Sequence, residues 1–320
     1  MIDAGPSPRD TPQAGPTQMP PAEASGNASS SSSGSVRMKI DCQLSYELAG
    51  DCEFVFLVQA ALNPDQTLVE EDLRLDPPMA YRSYVHQASG NRFLRVSAPA
   101  GALRLHYSAI VDRRVDVPDP NAAQVPVHAI PDELMHFLLP TRYCESDLLG
   151  PVAQQIFAGV PTGHGRVQAI CDWVHAHVAY RIGSTVATTT AVDVFVQRSG
   201  VCRDFAHLAV TFCRALNIPA RLVSAYAHFD EPPPDFHAIF EAFVGGRWVL
   251  FDPSGMAPVD RVVRLATGPD AKDVAFATIY GPARMVAMSP VLNCIDGVAG
   301  SGTAASTAPP LQGAAAELDL

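Results

Sequence analysis

The chain has 320 residues, 48% of them hydrophobic, and its 33 acidic residues outnumber 22 lysines and arginines to give a formal net charge of -11. A chain of this size and composition can bury one core of moderate size and a smaller second domain, which is typical of a globular protein. The acidic balance, and the lack of a basic stripe interleaved with aromatic residues, argue against a nucleic-acid partner.

Cysteine usage indicates the redox compartment. The seven cysteines are odd in number, scattered and free of CxxC pairs, at positions 42, 52, 144, 171, 202, 213 and 294. This pattern predicts reduced thiols and a cytoplasmic location rather than a disulfide framework.

Both ends of the chain are of low complexity. Residues 1–37 are rich in Pro, Ser, Ala and Gly, and residues 297–320 in Ala, Gly and Ser, so we expect both to be disordered. The first segment has neither a positively charged region nor an apolar stretch of the kind found in a secretory signal. No apolar run approaches the roughly twenty residues that a membrane helix needs, so no membrane partner is expected.

Residues 38–115 predict a small antiparallel β-sandwich-like domain. Short β-rich runs alternate there with turn signals: LSYEL, CEFVFLVQAAL, YRSYVHQA, NRFLRVSA and LRLHYSAIVD. The acidic group Glu70, Glu71 and Asp72 falls between two of these runs. We interpret it as a solvated face, since the spaced oxygen ligands of a calcium loop are missing.

A proline-rich linker, residues 116–132, separates this domain from a second one predicted over residues 133–296. A helix is expected at about 166–178, where apolar residues recur at helical spacing. It carries Cys171, His175 and His177, but no further ligand completes a tetrahedral set, so no metal is expected. No glycine-rich phosphate loop or dinucleotide fingerprint occurs, and no cofactor is expected either.

Cys202 is predicted to open a helix. Gly200 precedes it, and apolar residues then recur at helical spacing until Asn217-Ile218-Pro219 ends the pattern. A thiol in the first turn lies beside unpaired backbone N–H groups and the positive end of the helix dipole, which favours a nucleophilic thiolate. Cys213 lies about three turns deeper among apolar neighbours and is interpreted as a core residue.

Two strands are predicted on either side of Gly245-Gly246, which is a strong two-residue turn signal. They span residues 237–244 and 247–252. A turn of this length fixes the register by pairing Val244 with Arg247.

This register brings a histidine and a carboxylate together. Counting back from the turn puts His237 opposite Ser254, with Asp252 diagonal to His237 on the same face. Asp252 can then hold the imidazole in one tautomer and stabilise its cationic form. If the free ring nitrogen faces the start of the Cys202 helix, these three residues complete a catalytic triad.

Other residues compete for roles at this site. His207 lies about 140° around the helix from Cys202, and His228 lacks a carboxylate held by a strand register, so both are weaker candidates for the base. Gln197 is a candidate oxyanion donor beside the Cys202 backbone N–H. Residues 232–234, three prolines, are interpreted as a stiff wall of the cleft.

The segments GVCRDFAHL, PPPDFHAIFEAF and RWVLFDP resemble the three motifs of the transglutaminase-like superfamily of cysteine enzymes, and most closely its bacterial members. The resemblance extends over roughly residues 38–280. It implies an α+β, papain-like catalytic core behind a β domain, with Cys202, His237 and Asp252 as the triad.

The resemblance and the triad together predict amide acyl transfer through a thioester on Cys202. Hydrolysis of a peptide, protein or small amide is favoured. The alternatives are amine transfer to a protein glutamine and a non-catalytic peptide-binding module of the same fold. Cross-linking relatives are expected to exclude water with a tryptophan-lined tunnel, whereas this chain has only Trp173 and Trp248.

Overall fold

The computed structural model describes residues 34–115, 117–228 and 235–296. The predictions for residues 1–33, the three prolines at 232–234 and the tail from residue 297 therefore lie outside the described residues. Residues 34–37, which the sequence assigned to the disordered segment, belong to the first strand. In the described part, no helix is both long and apolar enough to cross a membrane.

The N-terminal part contains six strands, listed in chain order: β1 (Gly34–Leu48), β2 (Cys52–Phe56), β3 (Gln66–Asp76), β4 (Tyr81–Val85), β5 (Arg92–Ala98) and β6 (Gly101–Val115). The second part begins with 3-10 turns at Val127–Ala129 and Asp132–Leu138, followed by α1 (Gly150–Phe157), α2 (His164–His177), β7 (Ala179–Tyr180), α3 (Ala191–Gln197), β8 (Ser199–Gly200) and α4 (Cys202–Ala215). The remaining elements are β9 (Ala220–Ala227), β10 (Phe236–Val244), β11 (Arg247–Phe251), β12 (Val262–Gly268), α5 (Ala271–Val274), β13 (Ala277–Tyr280) and β14 (Ala283–Asp296).

Two antiparallel sheets form the N-terminal sandwich, with strand orders β14-β1-β6-β3 and β13-β2-β5-β4. Every second residue of β1 from Met38 to Leu48 is buried, as expected for a strand with one face on a core. These side chains share a core with Phe54 and Phe56 of the other sheet. The predicted β-sandwich-like domain and the α+β class are confirmed.

The sandwich contains strands that the sequence did not predict. Strand β3 includes Glu70, Glu71 and Asp72, all three exposed as interpreted, and Arg92 pairs with Glu71 at 2.7 Å. The C-terminal residues 277–296 supply strands to both N-terminal sheets, through β13 beside β2 and β14 beside β1. A boundary at residue 133 therefore does not divide the chain into two consecutive domains, because the C-terminal strands β13 and β14 belong to the N-terminal sheets.

The second part is built on helix α4 and the antiparallel sheet β11-β10-β9-β12. Helix α4 starts at Cys202, as predicted, and is followed by Asn217 in the left-handed region, with φ of 61°. The Ile218 N–H then donates to the Cys213 carbonyl at 2.9 Å, closing the helix end with the bond expected after a left-handed residue.

The hairpin of β10 and β11 has the predicted register, with Val244 paired to Arg247. Gly245 and Gly246 have φ values of 59° and 78°, the two positive values that a tight hairpin turn of this kind requires. The linker supports the turn, because the Gly245 N–H donates to the Ala123 carbonyl at 2.8 Å.

The β10 sheet is held from two sides. Phe240 and Ala242 belong to a core shared with α4, whereas Tyr226 and Phe236 belong to the core of the N-terminal sandwich. The Tyr226 hydroxyl also donates to the Val58 carbonyl at 2.7 Å. The strand that carries His237 is therefore fixed by both parts of the protein.

Candidate active site

The turn before Cys202 is held by a short parallel bridge between β7 and β8. Tyr180 pairs with Gly200, and the Arg181 N–H donates to the Gly200 carbonyl at 2.9 Å. Val201 is extended, with φ of -112° and ψ of 179°, and precedes the first residue of α4. The chain therefore enters the helix along a path fixed by the segment that follows α2.

The buried side chain of Asp204, two residues beyond Cys202, stabilises this turn. Its buried carboxylate accepts the Val201 N–H at 2.9 Å and the Thr185 hydroxyl at 2.6 Å. A side chain at position 200 would bring its Cβ to 2.7 Å from the Asp204 Cβ, a contact that real Cβ atoms do not make. Gly200 is thus required by the close approach of Asp204.

Cys202 is the first residue of α4 and is partly exposed. The setting of four other cysteines is different: burial raises the pKa of the thiols of Cys42, Cys144, Cys171 and Cys213. All seven cysteines are free thiols. Cys202 combines access from solvent with the positive end of a helix, the setting expected for a reactive thiol.

His237 and Asp252 meet as the hairpin register predicts. The His237 Nε2 lies 2.8 Å from the Asp252 Oδ2, and the two side chains are 1% and 4% exposed. Asp252 also accepts the Ser254 N–H at 2.8 Å and the Ala257 N–H at 3.1 Å. The carboxylate is therefore held by the turn that follows β11 and cannot easily rotate away from the imidazole.

The turn after Asp252 has its own support. His175 of α2 donates a hydrogen bond from its Nδ1 to the Ser254 carbonyl oxygen at 3.1 Å.

The neighbouring His177 donates from its Nδ1 to the Trp173 carbonyl at 2.8 Å. In the described part of the chain, no group of three His, Cys, Asp or Glu side chains is arranged to hold a metal ion.

The protonation of the histidine follows from its two partners. Burial would lower the pKa of His237, but hydrogen bonds to Asp252 and to the Cys202 side chain outweigh burial and raise this pKa to about 10. Burial would raise the pKa of Asp252, yet the bonds to His237 and Ser254 hold it below its usual value. At neutral pH the imidazole is therefore a cation between a carboxylate and the Cys202 side chain.

Two further groups, Tyr180 and Asp235, interact with the residues of the site. Burial raises the pKa of the Tyr180 phenol well above its usual range, and the interaction with Cys202 contributes to this shift. Asp235, two residues before His237, interacts electrostatically with both Tyr180 and His237. Tyr180, which was not predicted from the sequence, lies three residues beyond the end of α2, inside a segment covered by the family resemblance.

The remaining sequence candidates lie elsewhere. Gln197 is exposed in the last turn of α3, and its side chain makes no hydrogen bond to a described residue. His207 is buried against Tyr143, its Nε2 accepts the Ala271 N–H at 3.2 Å, and burial lowers its pKa to about 4. His228 donates to the Leu292 carbonyl at 2.8 Å. Neither histidine bonds to Cys202.

Comparison with known proteins adds independent findings. The family model of the transglutaminase-like superfamily matches residues 151–253, and that of the N-terminal domain of bacterial transglutaminases matches residues 36–133. A solved structure from Cytophaga hutchinsonii, described as a putative cysteine protease, is 37% identical and has a TM-score of 0.79. The match covers 82% of this chain and 92% of that one.

Curated relatives are more distant. An uncharacterized protein of Mycobacterium leprae is 29% identical over 158 residues, which are 46% of this chain and 55% of that protein. An uncharacterized protein of Mycobacterium tuberculosis is 28% identical over 237 residues, which are 65% of this chain and 75% of that protein. The chain thus spans about half the length of the first of these relatives.

Proposed function

This chain belongs to the transglutaminase-like superfamily, and on that premise we propose that it is a cysteine-dependent amide hydrolase. Cys202 is the proposed nucleophile, His237 the general base and acid, and Asp252 the residue that orients His237. A peptide, a protein or a small amide is the proposed substrate.

One observation carries the proposal: the buried His237 side chain is hydrogen-bonded to Asp252 at 2.8 Å, and Cys202 also favours the cationic form of its imidazole. Because Nε2 is bound to the carboxylate, Nδ1 is the ring nitrogen left for the sulfur. An imidazolium in that position stabilises a thiolate and carries the proton that an amine leaving group needs.

The proposed reaction has two steps. The Cys202 thiolate attacks the amide carbonyl carbon, a C–S bond forms, and the C–N bond breaks as His237 gives its Nδ1 proton to the departing amine. Neutral His237 then takes a proton from water, the resulting hydroxide attacks the thioester, and the C–S bond breaks. The carboxylic acid leaves, and the thiolate and imidazolium return.

Negative charge develops on the carbonyl oxygen in both steps, so a donor is needed beside the sulfur. The Cys202 backbone N–H and the Tyr180 hydroxyl are adjacent to the sulfur, whereas Gln197 has no hydrogen bond in this region among the described residues. We therefore assign the side-chain part of the oxyanion site to Tyr180 instead of Gln197.

Hydrolysis is preferred to amine transfer because both tryptophans are used in packing. Trp173 packs edge-on against Phe212 at 5.3 Å between ring centroids. Trp248 packs edge-on against Phe137 at 5.2 Å, and the Arg221 guanidinium lies 4.1 Å from the centroid of its ring. Two tryptophans that are both engaged in packing give few aromatic walls for a tunnel that would exclude water from the thioester.

The test is a library of peptide amides incubated with the protein and followed by mass spectrometry of both protein and products. We expect a transient acyl adduct on Cys202 and release of free acid, with little amine adduct when a primary amine is added in large excess. Cys202→Ala should abolish both signals. Cys213→Ala is the matched control, since it removes a thiol from the same helix and should leave turnover intact at a stability cost on the order of 1 kcal/mol.

A product that is mostly amine adduct at modest amine concentration would replace the hydrolase with an amine transferase. Full turnover in Cys202→Ala would refute the nucleophile itself.

A further inference from the structure

Ser254 lies in the turn that follows the carboxylate of the proposed triad, and it is only 7% exposed. Its hydroxyl oxygen is 2.6 Å from the Asp252 Oδ1, and its backbone N–H donates to the same oxygen at 2.8 Å. An ionised carboxylate has no proton to give, so the hydroxyl is the donor in the first of these bonds. The proposed reaction assigns no role to this hydroxyl.

The hydrogen bonds of the Asp252 carboxylate are divided evenly between its two oxygens. Oδ1 accepts the two donors of Ser254, whereas Oδ2 accepts the Ala257 N–H at 3.1 Å and lies 2.8 Å from the His237 Nε2. A carboxylate offers about four lone-pair sites, so its acceptor capacity is fully used. By occupying Oδ1, Ser254 determines which oxygen faces the imidazole.

The bond from the Ser254 hydroxyl is the shortest of these bonds. Charge-assisted O–H···O⁻ bonds have lengths of about 2.5 to 2.7 Å and are roughly twice as strong as neutral ones. Burial would raise the pKa of Asp252, but His237 and, after it, the Ser254 hydroxyl lower it. The hydroxyl therefore stabilises the charged form of the carboxylate, which is the form that pairs with an imidazolium.

Ser254 is itself held in place by two further bonds. Its hydroxyl oxygen accepts the Met256 N–H at 3.4 Å, and its carbonyl oxygen accepts the Nδ1–H of His175 at 3.1 Å. A hydroxyl can accept one hydrogen bond while it donates another, so the bonds to Met256 and to Asp252 are compatible. The position of the carboxylate is thus linked through Ser254 to helix α2, which carries His175.

The orientation of this carboxylate matters because it sets the orientation of the imidazole. In the proposed reaction, His237 presents Nδ1 to the Cys202 sulfur while Nε2 stays bound to Asp252. Rotation of the carboxylate about its Cβ–Cγ bond would move Oδ2 and tilt the ring, and a displacement of about 1 Å can cost about 100-fold in rate. We propose that Ser254 is a positioning residue, whose hydroxyl fixes the Asp252 carboxylate and through it the ring of His237. This inference deepens the proposed function and rests on that triad.

The test is a double-mutant cycle, which measures whether Ser254 acts through Asp252. The wild type, Ser254→Ala, Asp252→Ala and the double variant are compared by two rates. The first is kcat for the best substrate of the peptide-amide library. The second is the rate at which iodoacetamide alkylates Cys202 at neutral pH, which depends on the thiolate–imidazolium pair and needs no turnover. Ser254→Ala keeps the backbone N–H that also bonds to Oδ1, so the turn keeps one of its two bonds to that oxygen.

Ser254→Ala should lower kcat about tenfold and leave KM within about twofold of the wild type, because the hydroxyl orients the base and does not touch the substrate. The alkylation rate should fall about fivefold, since a displaced imidazolium stabilises less thiolate. In the Asp252→Ala background, the same substitution should change either rate by less than about twofold. Equal losses in the two backgrounds, or no loss in the single variant, would overturn the proposal.

Thr211→Val is the matched control. It removes another buried hydroxyl, one that lies in helix α4 and donates to the His207 carbonyl at 2.8 Å. We expect it to lower the free energy of unfolding in denaturant titration and to leave both rates unchanged. If Thr211→Val slowed both rates as much as Ser254→Ala does, the loss would reflect the stability of the fold, and the positioning role would be contradicted.

The two rates separate this inference from the proposed function. Coupling between Ser254 and Asp252 in the alkylation rate, with no turnover of any amide, would support the positioning role and contradict the hydrolase. Amide turnover that is as fast in Ser254→Ala as in the wild type would support the hydrolase and contradict the positioning role.

Discussion

Asp252→Asn should lower the pKa of His237 and with it the pH at which the site loses its imidazolium. The carboxylate lies 2.8 Å from the ring and both groups are buried, so its charge is little screened by water. An opposite charge at such a distance shifts a pKa by about 1 to 3 pH units. The midpoint should therefore move from about 10 to lower pH by an amount in that range.

The assay is NMR of protein labelled at the histidine rings, followed from pH 5 to 11. The chain has 10 histidines, and the spectrum of His237→Gln identifies the relevant signal. Cys202→Ser should also lower the midpoint, because the Cys202 side chain is the second group that raises it. A wild-type midpoint near 6.5, or one that is unchanged in Asp252→Asn, would refute the electrostatic argument.

The same proton links the site to the stability of the fold. A pKa raised from 6.5 to about 10 means that the folded state binds the proton more tightly than the unfolded chain. The stabilisation from His237 is thus complete below about pH 6.5 and is lost as the pH rises through 10. Asp252 has a lowered pKa, so its contribution is present above about pH 3.8 and is lost at lower pH. Denaturant unfolding between about pH 6.5 and about pH 8.5, below the range in which the buried thiols and phenols titrate, should show a loss of stability with rising pH in the wild type that is much smaller in His237→Gln.

Three further substitutions test other parts of the account. Tyr180→Phe should lower kcat by about 100-fold or more if its hydroxyl supports the oxyanion, while the rate of Cys202 alkylation, which forms no oxyanion, stays within about threefold; an unchanged kcat would contradict this role. Gly200→Ala should slow Cys202 alkylation at least tenfold, because the added Cβ would lie 2.7 Å from the Asp204 Cβ, and wild-type rates would mean that the turn adapts. The Glu241 carboxylate contacts two arginines, at 2.6 and 2.7 Å. Glu241→Gln removes their buried counter-charge and should lower the free energy of unfolding, measured by denaturant titration, by about 3 kcal/mol. A cost below about 1 kcal/mol would show that those arginines find other partners.

The features predicted correctly from the sequence are those that short-range rules determine. The Gly245-Gly246 turn allows essentially one register, and that register alone brings Asp252 within reach of His237. The start of α4 at Cys202 likewise follows from glycine and apolar spacing.

The features that were missed depend on partners distant in the chain. Strand β3 was not among the predicted runs because acidic residues are depleted in strands, and its Glu71 pairs with Arg92, which is distant in the chain. Strand β14 joins β1 across more than two hundred residues, which no local pattern reveals. Tyr180 meets Cys202 because a two-residue bridge joins β7 to β8, and so short a pairing leaves almost no signal in the sequence.

The catalytic role of Cys202 is tested most directly by competition between two thiols of the same molecule. Cys294 is exposed, whereas Cys202 is only partly exposed, so accessibility alone would favour Cys294. The protein is treated at neutral pH with less than one equivalent of iodoacetamide, and the modified peptides are quantified by mass spectrometry. We expect Cys202 to react at least tenfold faster than Cys294, and His237→Ala to abolish the difference. Labelling of Cys294 at an equal or higher rate in the wild type would contradict the assignment of Cys202 as an activated nucleophile.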